Sequence, residues 1–246
     1  MKVVAFNGSA RKQGNTAILI KHVFGELEKE GIETELIELA GENIRGCTAC
    51  FKCFENKDGH CAVKNDIVND CIDKMVEADG IILGSPTYFA DITSGMKALM
   101  ERSGFTALAN GAMFKHKVGA AVIAVRRGGA IHAFDSINHF LHINQMIVPG
   151  SSYWNVGLGR EIGDVENDEE GVRNMKNLGE NLAWLMKKIR LILSRSSLSS
   201  FWRYRKPINI MIIIMNVSRQ HFYNIPPHTY PMPAPIQIII CEKIKE

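Results

Sequence analysis

The chain has 246 residues, 46% apolar and 22% charged, a balance that fits one substantial core with an appendage and excludes a disordered or fibrous protein. The net charge of +3 is unevenly placed: residues 191–246 carry seven Lys or Arg against two Asp or Glu, a net +5, whereas residues 1–190 carry 22 against 24, a net -2. The basic excess belongs to the tail, so the main body shows no nucleic-acid surface. MKVVAFNG enters the fold pattern at once, without a secretory signal, and no apolar run is long enough to cross a bilayer. The expectation is a cytoplasmic protein without a membrane partner. In that reducing setting a group of cysteines serves metal binding or redox chemistry sooner than a structural disulfide framework.

KVVAFNG (2–8), β-branched and aromatic and closed by Gly8, predicts a first strand. Residues 15–30 predict a helix with Ile18, Leu19, Val23 and Leu27 inward, and TELIEL (34–39) predicts a second strand. Residues 40–65 form the longest interruption, and long ordered loops in compact domains usually carry a function. Asp66 is placed to cap a helix whose Ile67, Cys71 and Met75 lie four apart, before GIILGS (80–85) supplies a third strand. A helix over 93–103, a fourth strand VGAAVIAV (118–125), a helix near 130–142 and a short fifth strand QMIVPG (145–150) follow. Val172, Met175, Leu178, Leu182, Leu185 and Ile189 then make one apolar stripe of a last helix, with Lys187 and Lys188 near its C-terminus. Continuous rather than alternating apolar runs fit strands covered on both faces, and helical crossovers make them parallel. The prediction is an α/β three-layer sandwich over residues 1–190.

Residues 191–246 read differently. They hold six of the eight prolines and the isoleucine runs INIMIIIMNV and IQIIICEKIKE. An edge strand or docked extension, a partly disordered tail and an altered reading frame all remain open, and this extension is assigned no activity.

Between the first strand and its helix lies NGSARKQGNTA (7–17). Small residues let the backbone approach a ligand, Ser9, Asn15 and Thr16 offer side-chain hydrogen bonds, Arg11 and Lys12 add positive charge, and the helix start presents free amides. Neither G-x-G-x-x-G nor G-x-x-x-x-G-K-[ST] is present, so a terminal monophosphate suits this turn better than a dinucleotide or triphosphate. A well-capped helix with a polar turn is the plain alternative. The segment Gly8-Ser9-Ala10-Arg11-Lys12-Gln13-Gly14-Asn15-Thr16 resembles the phosphate-binding signature of the flavodoxin-like, NADPH-dependent FMN reductase superfamily, and GSPTYFADITSGMKALMER (84–102) resembles that superfamily's second block. This resemblance covers roughly residues 1–190. It implies a flavodoxin-like sandwich with a five-stranded parallel sheet in the order 2-1-3-4-5. It also implies that Ser9, Arg11, Gly14, Asn15 and Thr16 hold the FMN phosphate while Ser85, Pro86, Thr87, Tyr88 and Phe89 wrap the isoalloxazine. Glu101 stands where Asp is common, a change expected to matter little. RRGGA (126–130) ends the fourth strand at the same sheet edge, where Gly128 and Gly129 allow close approach and Arg126 or Arg127 can stabilise negative charge on the reduced ring.

Within the cysteine-rich loop 46–61, Cys47, Cys50, Cys53 and Cys61 are spaced C-x2-C-x2-C-x7-C. Four soft thiolates around one tetrahedral volume are what an iron-sulfur cluster requires. Zinc, a disulfide or thiol-exchange role, and cysteines without a ligand remain alternatives. Two well-separated CxxC pairs would have pointed to structural zinc more strongly. The motif is similar to that of the iron-sulfur flavoproteins, which implies FMN plus a [4Fe-4S] cluster, a homodimer or homotetramer, and a ferredoxin-like electron donor. Cys71, on an apolar helical face, and Cys241, in the tail, are expected to be bystanders. The scattered histidines, including the His139 and His142 pair, are expected on the surface or at an interface.

The leading expectation is an FMN-dependent oxidoreductase relaying electrons between a ferredoxin-like donor and an acceptor. The alternative is a cluster-free reductase in which NAD(P)H reduces FMN and the flavin reduces quinones, flavins or similar small acceptors. A flavin and thiol redox sensor is the third reading. In all of them the protein tunes a cofactor, so no catalytic acid, base or nucleophile is named.

Overall fold

The computed structural model describes residues 1–195; the remainder of the 191–246 extension, including Cys241, lies outside the described residues. Five parallel strands, β1 (Lys2–Asn7), β2 (Glu33–Glu38), β3 (Gly80–Pro86), β4 (Val118–Val125) and β5 (Val156–Leu158), form one sheet in the order β2-β1-β3-β4-β5. This is the predicted flavodoxin-like three-layer sandwich. Its helices are α1 (Asn15–Lys29), α2 (Lys52–Asn56), α3 (Val68–Glu77), α4 (Ser94–Ala109), α5 (Ala130–Ile143) and α6 (Glu169–Arg195).

The alternation of side chains along each strand divides the core in two. Val3, Ala5, Ile82, Val118, Ala120, Val122 and Ala124 face α1 and α6, and meet Leu19, Val23, Leu27, Leu178 and Leu182. Val4, Phe6, Ile81, Leu83, Ala121, Ile123 and Val125 face the other way, against apolar residues of α3, α4 and α5. Both faces of the sheet are therefore covered, which is why its central strands read as unbroken apolar runs.

The fifth strand is not where the sequence placed it. QMIVPG contributes only an isolated bridge between Ile147 and Val118, and the chain returns to β4 at residues 156–158. Pro149 has no amide to donate and Gly150 ends the local run, so the edge is interrupted there. Asn155 closes the gap: its side-chain amide donates to the Ala121 carbonyl at 3.0 Å, and its own carbonyl accepts from the Ile123 amide at 2.9 Å. The single-turn helix α2 was also absent from the sequence reading. It lies between left-handed residues Phe51 (φ 55°) and Lys57 (φ 50°) and buries no side chain, so it has no apolar stripe to read.

Asp66 lies just ahead of α3, where its Oδ1 accepts from the Val68 amide at 3.2 Å. No helix among the described residues is long and apolar enough to cross a membrane.

Candidate functional site

The parallel register brings the C-terminal ends of β1, β3, β4 and β5 to one edge, where loops 8–14, 87–93, 126–129 and 159–163 emerge. The first loop is set by buried polar contacts. Asn7 donates to Glu38 Oε2 at 2.8 Å and accepts from the Ser9 amide at 3.1 Å; Thr93 Oγ donates to the Gly8 carbonyl at 2.8 Å. Ser9 Oγ accepts from the Arg11 amide at 3.1 Å, so this side chain shapes the loop. Helix α1 then starts at Gly14 without any side-chain cap, leaving its first-turn amides to a ligand or solvent. Thr16 is 1% exposed, and its hydroxyl is buried with no hydrogen-bond partner.

The second loop shows the same feature. Thr87 Oγ1 is buried and unpartnered, while the Thr87 amide donates to the Ala124 carbonyl at 2.8 Å. Ser85 is turned inward, its hydroxyl donating to the Pro86 carbonyl at 2.8 Å and accepting from the Thr93 amide at 3.1 Å. Tyr88 and Asp91 pair back to back, and between them Phe89 stands fully exposed at φ 30°. Gly129 holds φ 88° at the start of α5, and a methyl group there would lie 3.2 Å from the Thr87 methyl; the third loop thus abuts the second. Arg126 and Gly128 are exposed beside it.

Residues 159–163 are the part of this edge that the sequence reading missed, because it put the fifth strand too early. Asn15 donates to the Glu161 carbonyl at 2.8 Å and accepts from the Gly163 amide at 2.9 Å, and Arg11 Nη1 reaches the Arg160 carbonyl at 3.4 Å. Two side chains expected on a phosphate are therefore engaged in tying the last loop to the first.

Cys47, Cys50, Cys53 and Cys61 line one small pocket, together with Phe51, Val63, Arg102 and Phe105. All four thiols are free. Hydrogen bonds from the Lys52 amide and then the Thr48 side chain hold the Cys50 pKa below the ordinary thiol range, whereas burial pushes Cys53 up. Among the described residues, no group of three or more His, Cys, Asp or Glu side chains is arranged to hold a metal ion. Cys71 lies in the core, 2% exposed, and burial first, then nearby carboxylates, push its thiol up to about 12. It is inert at neutral pH. His139 and His142 are exposed on α5; His22 pairs with Glu166 at 2.9 Å and His60 with Asp73 at 3.0 Å.

Arg102, which the sequence reading passed over, is fully buried and directed at the cysteine loop. Its Nε donates to Cys61 Sγ at 3.3 Å, Nη2 donates to the Val63 carbonyl at 2.9 Å, and Nη1 reaches the Arg45 carbonyl at 3.4 Å and pairs with Asp66. Burial works against its charge, but the bonds to Asp66 and Cys61 outweigh that and raise its pKa above the ordinary value. Next to it, Glu101 Oε2 accepts from the Cys47 amide at 3.3 Å. The available signals were its place as the last residue of the 84–102 block and the adjacent charge pair in the mostly apolar stretch ALMERSGF.

The NADPH-dependent FMN reductase family matches residues 1–161. The chain belongs to that family. Among its relatives, an iron-sulfur flavoprotein of Methanocaldococcus jannaschii is 40% identical over 197 residues, 77% of this chain and 100% of the relative. An iron-sulfur flavoprotein of Methanosarcina thermophila is 31% identical over 192 residues, 77% of this chain and 97% of the relative. RosB, solved with bound 8-demethyl-8-formylriboflavin-5′-phosphate, superposes with a TM-score of 0.62 at 17% identity, covering 100% of this chain and 98% of its own, a likeness of fold.

The protein is thus an FMN-dependent oxidoreductase of the FMN reductase family, and its strand-end crevice suits that cofactor. Thr16 Oγ1 in the first turn of α1 and Thr87 Oγ1 just after β3 are buried without a hydrogen-bond partner, as is Thr106 Oγ1 on α4; left alone, each costs about 1–3 kcal/mol. The cysteine pocket also suits a soft-metal cluster by its donor set, because four thiols and no carboxylate or imidazole line it.

Proposed function

We propose that this chain binds FMN across the four strand-end loops and uses it to pass electrons from NAD(P)H to a quinone, a flavin or a similar small acceptor. The buried, unpartnered hydroxyls of Thr16 and Thr87 carry the FMN-binding part of this reading, since a phosphate and a ring edge would give each of them a partner. The match to the NADPH-dependent FMN reductase family supports the nicotinamide as donor.

In this assignment Ser9, Gly14 and Thr16, with the first-turn amides of α1, receive the phosphate. Arg11 and Asn15 act through the 159–163 loop, holding it over the phosphate end. Ser85 and Pro86 shape the turn from inside, Thr87 offers a hydroxyl to the ring edge, and Tyr88 and Phe89 form its aromatic lip. Arg126, Gly128 and Gly129 border the ring from β4, where the arginine stabilises negative charge. When bound, FMN supplies the one- and two-electron chemistry.

A second reading has its own observation. All four loop cysteines border one pocket, and the curated relatives are named iron-sulfur flavoproteins. On that reading Cys47, Cys50, Cys53 and Cys61 hold a [4Fe-4S] cluster that is fed by a ferredoxin-like donor, in a homodimer or homotetramer.

One preparation tests both. The protein is purified without oxygen, its FMN, iron and sulfide are quantified, and the flavin is mixed with NADPH or NADH in a stopped-flow cell. Rapid flavin bleaching by the nicotinamide is expected on the first reading, and a chain that neither retains nor takes up FMN would sink it. Four irons per flavin, with reduction only through ferredoxin, would shift the assignment to the second.

A further inference from the structure

We propose that Arg102 is a positioning residue that raises the reduction potential of a cluster held by the loop cysteines, through its hydrogen bond to the Cys61 sulfur, with Asp66 acting in the opposite direction. This rests on the cluster reading above. It concerns a residue that the cysteine spacing does not reveal.

The geometry is specific. A guanidinium has five N–H donors in a rigid fork, and burying one is costly unless its donors are used. Here the side chain is fully buried, and every recorded bond goes to the segment carrying the cysteines: Arg45 and Val63 by their carbonyls, Cys61 by its sulfur, Asp66 by its carboxylate. With Glu101 on the Cys47 amide, one dipeptide of α4 grips the first and the last cysteine of the motif. Arg102 is separated from the flavin crevice, since Thr93, which caps α4 at that end, lies about 14 Å away along the helix axis.

In a cluster held by Cys47, Cys50, Cys53 and Cys61, one electron taken from a ferredoxin-like donor would add negative charge beside the Cys61 sulfur, with no bond made or broken. An N–H donor on that sulfur and a positive charge behind it favour the more negative state, and a buried setting strengthens both effects. The Asp66 carboxylate, on the far side of the same guanidinium, disfavours it. Loss of Arg102 must therefore lower the midpoint potential, and loss of the Asp66 charge must raise it.

The test uses the full chain, purified without oxygen, as wild type, Arg102→Lys, Arg102→Gln and Asp66→Asn. Iron and sulfide are counted per chain, and the cluster midpoint is then measured by mediated titration with electron paramagnetic resonance detection. The expected order of midpoints is Arg102→Gln lowest, Arg102→Lys between it and wild type, and Asp66→Asn highest, with the flavin midpoint unmoved. If Arg102→Gln loses its iron, the lysine and asparagine variants decide by falling on opposite sides of wild type. A residue that merely holds the loop would shift Arg102→Lys and Asp66→Asn the same way or leave both unchanged, and either result overturns the proposal. A wild-type protein without iron would remove the cluster reading, and this inference with it, before any variant is compared.

Discussion

Thr16 concentrates the physical case for a ligand in one atom. Its hydroxyl is buried without a partner in the first turn of α1. Replacing it by valine removes an unsatisfied group from the empty protein and a donor from the liganded one. Thr16→Val is therefore expected to leave the apoprotein as stable as wild type or more so, while weakening FMN binding by roughly ten- to a hundredfold, the worth of a hydrogen bond to a charged group. Urea unfolding of the apoprotein and a flavin fluorescence titration measure the two effects separately. The cysteines divide in a comparable way. Cys71 is a core residue with its thiol pushed up to about 12, so Cys71→Ala is expected to leave metal content unchanged, whereas Cys61→Ser, on the cluster reading, abolishes it; elemental analysis of both variants distinguishes them. The bystander role of Cys71 was readable from its helical spacing. The burial of Arg102 was not, because nothing in a local sequence window says that a charge within a helix will find four partners elsewhere.

At the level of elements, α1 and α6 cover one face of the sheet and cross each other closely. Gly179 makes that crossing possible: a methyl group there would stand 2.6 Å from the Val23 carbonyl oxygen and 2.8 Å from Glu26 Cβ. Alanine gains about 1 kcal/mol of helix propensity over glycine. A backbone carbonyl cannot swing aside as a side-chain tip can, however, and overpacking costs about 1–3 kcal/mol. Gly179→Ala is expected to be a net destabilisation, lowering the thermal midpoint by a few degrees in a calorimetric scan. Boundaries of α1, β4 and α5 were legible to within one residue or so, since each rests on its own periodicity and on short-range Gly or Asn signals. The fifth strand was not. Both QMIVPG and NVGL carry edge-strand character, and the choice between them depends on Asn155 reaching across to β4.

At the scale of the whole molecule, part of the acid stability comes from the sheet edge. Glu35 on β2 meets Lys2 at 2.6 Å and Lys74 at 2.9 Å, and their hydrogen bonds, Lys2 first, hold its pKa below the ordinary value of 4.5. A depressed carboxylate stabilises the fold above its unfolded pKa and loses that contribution as pH falls through the folded value. Solvent screening keeps it at about 1 kcal/mol or less. Stability curves of wild type and Glu35→Gln are therefore expected to differ most at neutral pH, to draw together as pH falls below the ordinary value of 4.5, and to meet only once pH has passed through the depressed folded-state pKa and the carboxyl is neutral. A gap that persisted at lower pH would point to lost packing instead. By itself the sequence determined the sandwich class and the order of its first four strands and the helices between them, α2 excepted. Those features follow from continuous apolar runs, helical periodicity and residue types at strand ends, all of them local. Only the tertiary structure decided that loop 159–163 joins the phosphate loop through Asn15, 146 residues from its partner Glu161, and that Arg102 reaches Cys61, 41 residues away. It alone also showed Thr16 and Thr87 to be left without partners. Such contacts depend on which surfaces the folded sheet brings together, and the local pattern of a chain carries no record of that.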